Sequence, residues 1–204
     1  MAQETKEKIL VAARHVFEQK GYDAARTRDI ALEANVNVAL INYHFQSKEQ
    51  LFWAVVQDFL GPINQSLRDF FNDEKSDFET TLGRISNYYT DTWLRNYQMI
   101  IVMLTELRKS PEKFAEINIR PFTPSSAFEK KVHEFAGSDK VDAVQVMSNA
   151  LAMIMGPIVI RPLIQCIGDM DDKQFNYMMD IRRKMIPEWI ANMVKYQVDT
   201  NRNK

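Results

Sequence analysis

Apolar residues recur at the spacing of an α-helix along almost the whole chain, and this pattern constrains the fold more than any other feature. In the first segment Ile9, Ala13 and Phe17 fall on one side of a helix, and Gly21 after Lys20 predicts where that helix ends. The alternation of apolar and polar residues that marks strands is almost absent. With 204 residues, 46% of them hydrophobic, the chain can bury a sizeable core. The sequence therefore predicts an all-α protein.

Capping residues divide the next part of the chain into short helices. Thr27 is predicted to cap the second helix and Asn37 the third, because their side-chain oxygens can accept from free backbone N–H groups. Asn35 lies between these helices, where asparagine tolerates the left-handed backbone of a tight turn. Ser47 and Gln50 have the spacing of a capping box that opens a fourth helix. Two short helices joined by such a turn are typical of a helix-turn-helix.

The segment over residues 36–45, VNVALINYHF, contains no aspartate, glutamate, lysine or arginine. Ile41 and Phe45 are four residues apart and are predicted to point inward together. The outer side of the helix then carries short or hydrogen-bonding side chains: Val38, Ala39, Asn42 and Tyr43, flanked by Leu40 and His44. In a major groove, asparagine can pair with an adenine edge, and apolar side chains can contact thymine methyl groups. We therefore predict that this helix reads base edges.

The net charge of the chain does not indicate DNA binding, but the positions of a few basic residues do. The net charge is −1, and the first fifty residues contain as many acidic as basic side chains, so the composition alone indicates a neutral surface. However, Arg26, Arg28 and Lys48 flank the predicted recognition helix, where phosphates would lie. The predicted DNA-binding residues are Thr27, Arg28, Asn37, Val38, Ala39, Leu40, Asn42, Tyr43, His44 and Lys48.

Residues 27–51, TRDIALEANVNVALINYHFQSKEQL, resemble the N-terminal signature of the tetracycline-repressor (TetR) family of bacterial one-component transcription regulators. The shared features are the apolar pattern of the second helix, Val36 after the turn, the Asn-Tyr-His-Phe end of the third helix and the Ser-Lys-Glu start of the fourth. Asn35 and Ala39 stand where many members have glycine. The resemblance implies a helix-turn-helix DNA-binding domain of three helices over residues 1–46 and a larger helical ligand-binding and dimerisation domain over residues 47–204.

The resemblance also implies a homodimer that forms through the last two long helices. On the final segment, side chains with near-helical spacing form a candidate dimer seam: Met178, Arg182, Met185, Trp189 and Met193. The same spacing is equally typical of intrachain core. Periodicity alone does not separate the two interpretations.

A small-molecule pocket is the third expectation that the resemblance carries. The larger domain is rich in methionine and aromatic residues, which fill irregular apolar spaces. The candidate pocket residues are Tyr88, Tyr89, Trp93, Met99, Met103, Met147, Met153, Met155 and Arg161. Residues 119–126, a loop broken by proline, are a candidate entrance. These features predict a largely apolar effector, and for any single residue the alternative is ordinary core packing.

Together these observations predict a dimeric, ligand-responsive regulator, a repressor that binds a palindromic double-stranded DNA operator. Two alternatives are an enzyme that uses the helical pocket and an adaptor that binds a partner helix. No nucleophile–base pair, metal-binding motif or glycine-rich phosphate loop is readable, so we expect neither catalysis nor a metal or cofactor. A single cysteine, Cys166, favours a cytoplasmic location. Residues 143–160 are uncharged but contain Gln145, Ser148 and Asn149, so we expect a buried helix and no membrane span.

Overall fold

The computed structural model describes residues 2–116 and 125–202, and over these residues the chain is helical, with no strand. The helices are α1 (Ala2–Ala24), α2 (Thr27–Glu33), α3 (Val38–Phe45), α4 (Lys48–Asn72), α5 (Phe78–Arg95), α6 (Tyr97–Lys109), α7 (Pro111–Glu116), α8 (Ser126–Ala136), α9 (Ala143–Val159), α10 (Arg161–Gly168) and α11 (Asp172–Arg202). The predicted all-α class is confirmed. The candidate entrance over residues 119–126 lies largely outside the described residues.

The chain divides into two compact units. The first takes the residues up to Asn64 together with the segment that begins at Asn96, so it holds α1–α3, most of α4, α6 and α7. The second takes Gln65–Arg95 and the described residues from 125 onward, so it holds α5 and α8–α11. The first unit is larger than the predicted domain over residues 1–46, because α4 contributes to its core and α6 packs against α1.

Buried apolar side chains from α1–α4 form the core of the first unit. Phe17 is fully buried and meets the edge of the Phe52 ring at a centroid distance of 5.2 Å. Gly21 interrupts α1 with φ 73°, a conformation that glycine adopts at no steric cost, as its place after the first helix predicts. At the other side of this core, Arg14 donates to the Asn96 side-chain oxygen at 2.5 Å and so joins α1 to the residue that precedes α6.

Two predicted helix caps are confirmed and one is wrong. The Asn37 side chain accepts from the Ala39 N–H at 2.9 Å, and the Ser47 hydroxyl accepts from the Gln50 N–H at 3.1 Å. Thr27 does not cap α2, because it is already the first residue of that helix. The preceding Arg26 donates its backbone N–H to the carboxylate at position 29, at 3.2 Å, and this contact moves the helix start back by one residue.

Helix α5 occupies the centre of the second unit, packed against α11 and α9. The Ser86 hydroxyl donates to the Arg183 backbone carbonyl at 2.9 Å, and the Arg183 guanidinium pairs with the Asp91 carboxylate at 2.6 Å. These contacts fix the register of α5 against α11. A buried polar bond of this kind is satisfied only in one alignment of the two helices.

Helix α9 is a buried helix, as its sequence predicts. Its inward side chains are Ala143, Val146, Met147, Ala150, Leu151, Ile154 and Ile158. Among the described residues, no single helix has the length and hydropathy that a bilayer span requires. α9 and α10 together meet the length and composition criteria, but they are bent by 62° at the break between them.

Candidate nucleic-acid interface

A tight turn joins α2 to α3 and builds the helix-turn-helix. The Val36 N–H donates to the Ala31 carbonyl at 2.9 Å, and the Asn35 N–H donates to the Leu32 carbonyl at 3.1 Å. Asn35 adopts φ 51°, the left-handed conformation predicted for it. These bonds occupy carbonyl groups that the end of α2 would otherwise leave free. The chain therefore reverses sharply and places α3 beside α2.

The two sides of α3 differ as the sequence predicts. Ile41 and Phe45 are 1% and 5% exposed and pack into the first unit. On the opposite side Ala39 and Asn42 are exposed, and Tyr43 is 79% exposed. The flanking residues are graded: Leu40 is exposed, whereas Val38 and His44 are half-buried. The helix thus presents an uncharged face of short and hydrogen-bonding side chains, a composition that can pair with adenine edges and contact thymine methyl groups.

Only some of the charged side chains at the start of α2 are free to contact DNA. Arg28 is exposed, and Thr27 is half-buried beside it. Asp29 is held by the Lys20 ammonium at 2.9 Å and by the Arg26 backbone N–H, and these two hydrogen bonds lower its pKa. Because Lys20 neutralises this carboxylate, Arg28 is not opposed by a free acid one residue away.

Lys48 has a set of partners that the sequence did not predict. Its ammonium group donates to the backbone carbonyls of Tyr22 and Ala25 at 2.9 and 3.1 Å, and to that of Asp23 at 3.5 Å. The same group lies 4.4 Å from the centre of the Tyr22 ring. An ammonium group has three N–H donors, so these carbonyls can occupy all of them. A contact from Lys48 to a phosphate therefore stays a prediction that competes with this arrangement.

The candidate pocket residues fall in both units. Met99 and Met103 are buried in the first unit, whereas Tyr89, Trp93 and Met147 are buried in the second. Sequence reasoning missed this division, because the sequence does not reveal that α6 joins the unit that holds α1–α3.

The remaining candidate pocket residues have partners within the second unit. Tyr88 packs edge-on against Phe70. Arg161 pairs with the Asp172 carboxylate at 2.7 Å and lies over the Phe175 ring, so it joins α10 to α11. Met153 and Met155 on α9 are half-buried, and the Met153 backbone carbonyl accepts a hydrogen bond from α11.

Two buried hydroxyl groups of α5 lack hydrogen-bond partners among the described residues. They belong to Tyr89, which is 2% exposed, and to Thr90, which is fully buried. Burial raises the pKa of Tyr89 above its ordinary value, so the phenol stays protonated and can donate. Buried hydroxyl groups are normally paired, and leaving one unpaired costs about 1–3 kcal/mol. On the buried side of α5, these two hydroxyl groups could therefore form hydrogen bonds with a polar group of a ligand.

The candidate seam residues of α11 are half-buried or partly exposed, in contrast to the helix's inner side. Met178, Arg182, Trp189 and Met193 are half-buried, and Met185 is 39% exposed. The inner side is formed by side chains at most 1% exposed: Phe175, Met179, Ile186 and Ile190. The structure thus assigns the core to a neighbouring stripe and leaves the candidate seam at the surface of the second unit.

An arginine lies within this seam. The Arg182 guanidinium donates to the Met153 backbone carbonyl at 3.0 Å and lies 5.4 Å from the centre of the Trp189 ring. Its Nε is buried with no hydrogen-bond partner among the described residues, and burial lowers the pKa of this group.

The exposed apolar surface extends beyond the predicted seam. Outside the predicted seam, the large apolar side chains of α9–α11 that face solvent include Val144, Ile160, Leu163, Ile167, Tyr177, Ile181 and Tyr196. The three on or next to α10 share a helical spacing, and this spacing is the signal that could have identified them. Where such side chains lie together, they mark an interaction surface more often than a scattered exposed residue does.

Clefts in the second unit lie away from the candidate pocket residues. One of about 610 Å³ is lined by Phe71, Phe78, Phe135 and charged residues that include Lys130, Lys131 and Glu134. Among the residues that the structure describes, no three histidine, cysteine or acidic side chains come together as a metal site.

Comparisons with known proteins agree with this geometry. Residues 9–55 match the family model for bacterial regulatory proteins of the tetR family. The chain is 30% identical over 105 residues to the HTH-type transcriptional repressor NicS of Pseudomonas putida, covering 52% of this chain and 49% of NicS. It is 27% identical over 110 residues to IcaR, a negative regulator of the biofilm operon icaADBC in Staphylococcus aureus, covering 54% of this chain and 57% of IcaR. The matches span about half the length of these relatives.

Solved structures share the fold over most of the chain. The TetR-family regulator PfmR of Thermus thermophilus superposes with a TM-score of 0.65 at 20% identity, covering 88% of this chain and 97% of PfmR. The regulator FadR of Bacillus subtilis, solved with stearoyl-CoA, gives a TM-score of 0.65 at 16% identity, covering 88% of this chain and 96% of FadR. The N-terminal family match, the helix-turn-helix geometry and the shared helical fold lead to one conclusion: residues 9–55 form a helix-turn-helix domain like that of the bacterial regulatory proteins of the tetR family, and the chain has the fold of solved regulators of that family.

Proposed function

We propose that the protein is a cytoplasmic transcription regulator, a repressor that binds a palindromic operator as a homodimer and responds to a small molecule. The observation that carries this proposal is the uncharged, exposed face of α3 in a helix-turn-helix. A face of this composition gains little from nonspecific contact with phosphates. It gains hydrogen bonds and methyl contacts from base edges in a major groove.

In the proposed complex the residues of α3 divide into two roles. Asn42 and the small or apolar residues Val38 and Ala39 face base edges, while Asn37 and Leu40 lie at the margin of that contact. Thr27, Arg28, Tyr43 and His44 surround it and meet phosphates. Arg28 carries most of the salt dependence, because it is the charged group of this set whose side chain is exposed.

A dimer is proposed from the surface of α9–α11. The seam residues Met178, Arg182, Met185, Trp189 and Met193 lie at the surface of the second unit beside exposed Tyr177 and Ile181. Burial of this apolar area against a second copy would remove it from water, at roughly 25 cal/mol per Å². A palindromic operator requires two copies of α3 about 34–36 Å apart or a multiple of it, and a two-fold dimer supplies two copies.

The proposed effector is a largely apolar molecule with one hydrogen-bonding group. FadR, which shares the fold, was solved with stearoyl-CoA, a ligand with a long apolar chain. In this chain the aromatic pair Tyr89 and Trp93, with ring centroids 6.4 Å apart, supplies apolar surface inside the second unit. The unpaired Tyr89 hydroxyl supplies a donor for the polar group. Effector binding would favour one dimer geometry and so shift the population that fits the operator.

The function is tested by titration of the full chain with the DNA upstream of its own coding sequence, in the presence of excess random DNA. We expect a specific complex with two chains per site and a footprint over two half-sites. The dissociation constant of the specific complex should be at least roughly 10³-fold lower than that of the random-DNA complex. Equal affinity for upstream and random DNA at every salt concentration would contradict the proposal for that operator.

The effector is tested separately, with stearate, the acyl part of the ligand in the FadR structure, as the first probe and Tyr89→Phe as the variant. We expect saturable binding to the full chain, and a loss of about 1 kcal/mol in the variant, because one hydrogen bond is removed. Tyr43→Phe, at an exposed tyrosine of the first unit, is the matched control and should bind the probe as the wild type does in the absence of DNA. Identical affinities in both variants would remove Tyr89 from the effector site.

A further inference from the structure

Residues 22–25 form a corner between the interruption of α1 at Gly21 and the start of α2. Carbonyl groups near a helix end lack intrahelical partners and need other donors. In this corner three of them converge on one ammonium group, that of Lys48 at the start of α4, and the Tyr22 ring packs against the same group. Lys48 therefore stabilises a backbone conformation that lies 23–26 positions earlier in the chain.

A second lysine reaches the corner from α6. The Lys109 ammonium pairs with the Asp23 carboxylate at 2.7 Å and with the Glu106 carboxylate at 2.8 Å. The Glu106 side chain is 10% exposed, so this pairing also compensates a carboxylate that is largely removed from water. The hydrogen bond from Lys109 lowers the pKa of Asp23. The corner is thus held from α4 by one lysine and from α6 by another, all within the first unit.

The corner determines where α2, and with it α3, is placed. Ala25 is 1% exposed and leads directly into α2, whose first turn is fixed by the bond from the Arg26 N–H to Asp29. At its other end α2 is tied to the turn before α3 by the bond from the Val36 N–H to the Ala31 carbonyl. No flexible linker intervenes between the corner and the exposed face of α3. A shift of the corner therefore moves the side chains that face the bases.

We propose that Lys48 and Lys109 are positioning residues for operator recognition, and that Lys48 acts through the corner and not through a phosphate. This inference rests on the proposed DNA-binding function. Lys48 is expected to have the larger effect, because the residue is half-buried and its ammonium group is bonded to three carbonyls. The pair between Lys109 and Asp23 is weaker, since the Asp23 side chain is 79% exposed and solvent screens exposed ion pairs.

The test compares Lys48→Met with Arg28→Met on operator DNA and on random DNA at several salt concentrations. We expect Lys48→Met to weaken operator binding by roughly tenfold or more, because it removes charged hydrogen bonds. Binding to random DNA and the salt slope should stay as in the wild type. Arg28→Met should weaken binding to both DNAs and reduce the magnitude of the slope by about two, because each of the two chains in the dimer loses one phosphate contact. If Lys48→Met instead reduced the slope as Arg28→Met does, Lys48 would be a phosphate contact and the inference would be overturned.

A second variant, Lys109→Met, tests the inference even if Lys48→Met does not fold. Lys109→Met should reduce operator affinity about two- to threefold at an unchanged salt slope, as expected for an exposed ion pair. The effect of Lys109→Met should be smaller when Asp23 is already Asn, because only the pair between Lys109 and Glu106 is then lost. Thermal unfolding of each variant separates altered recognition from loss of structure. Full operator affinity in a folded Lys48→Met or Lys109→Met protein would contradict the corresponding role, whereas a wild type that does not bind the operator would contradict the proposed function itself.

Discussion

Helices α3 and α11 both carry an apolar stripe, but only in α3 does the sequence separate the inner from the outer side. In α3 the cap at Asn37 and the turn at Asn35 fix where the helix begins, so the inward positions follow from the spacing. In α11 the core stripe and the candidate seam lie side by side over a much longer helix. In the short helix α3, local hydrogen bonds determine which side is buried. In the long helix α11, the buried side is determined by the helices that pack against it.

The sharpest test of this comparison is a pair of neighbouring residues on α11. Ile186→Asp should unfold the protein or greatly lower its melting temperature, because a charge would replace a side chain that is 1% exposed. Met185→Asp should leave a folded monomer, because Met185 is 39% exposed in the single chain and is proposed to be covered in the dimer. Analytical ultracentrifugation and thermal unfolding distinguish the two. A Met185→Asp protein that remains dimeric would remove Met185 from the seam.

A similar pair on α3 tests the separation of its two sides. Ile41→Ala should cost about 2–5 kcal/mol of unfolding free energy, because it opens a cavity in the first unit. Tyr43→Ala should change stability by no more than about 0.5 kcal/mol, since this ring is 79% exposed. Chemical denaturation measures both. Similar losses in the two variants would show that Tyr43 is part of the core and not of the DNA-facing surface.

Much of the first unit could be predicted from sequence because its signals are local. Asn35, Asn37 and Ser47 each act on backbone groups within three residues. The corner held by Lys48 and Lys109 could not be predicted, because it joins residues that are far apart in sequence. The prediction that Thr27 caps α2 is wrong because of a local contact. An acidic residue at the third position of the helix supplied the acceptor instead.

The second unit was predictable in class but not in detail. Methionine and aromatic composition indicated apolar interior, and the structure buries Tyr89, Trp93 and Met147 as such. It also places Met99 and Met103 in the first unit, a division that depends on tertiary packing and leaves no trace in the spacing. Arg161, predicted as a pocket residue, has an ion pair with Asp172 that links α10 to α11.

The Asn37 cap provides a smaller test of the local bonds. Asn37→Ala should lower the unfolding free energy by about 1 kcal/mol, because the Ala39 N–H loses its acceptor. Asn37→Asp should keep most of the stability, since aspartate is an equally good cap. Chemical denaturation under identical conditions measures the unfolding free energy of both variants. Equal losses of stability in the two would show that the cap contributes little.

The smallest expected effect is the loss of stability at low pH that comes from Asp29. Hydrogen bonds from Lys20 and from the Arg26 N–H lower the pKa of Asp29 below its ordinary value of 3.8. A carboxylate with a depressed pKa contributes stability above its unfolded pKa, and this stability is lost as the pH falls through the folded pKa. Asp29→Asn should therefore reduce stability slightly at neutral pH, and its effect should disappear once the pH has fallen below the lowered pKa of Asp29 in the folded protein. An effect that persists unchanged in strong acid would contradict the ionic origin.

The central claim is that the exposed side of α3 reads bases, and Asn42→Ala tests it most directly. The variant should lose about 1–3 kcal/mol of binding free energy on the operator and almost none on random DNA, with an unchanged salt slope. Asn87→Ala, at an exposed asparagine of α5, serves as the matched control and should bind both DNAs as the wild type does. Equal losses on operator and random DNA in the Asn42 variant, or no loss on either, would contradict the account.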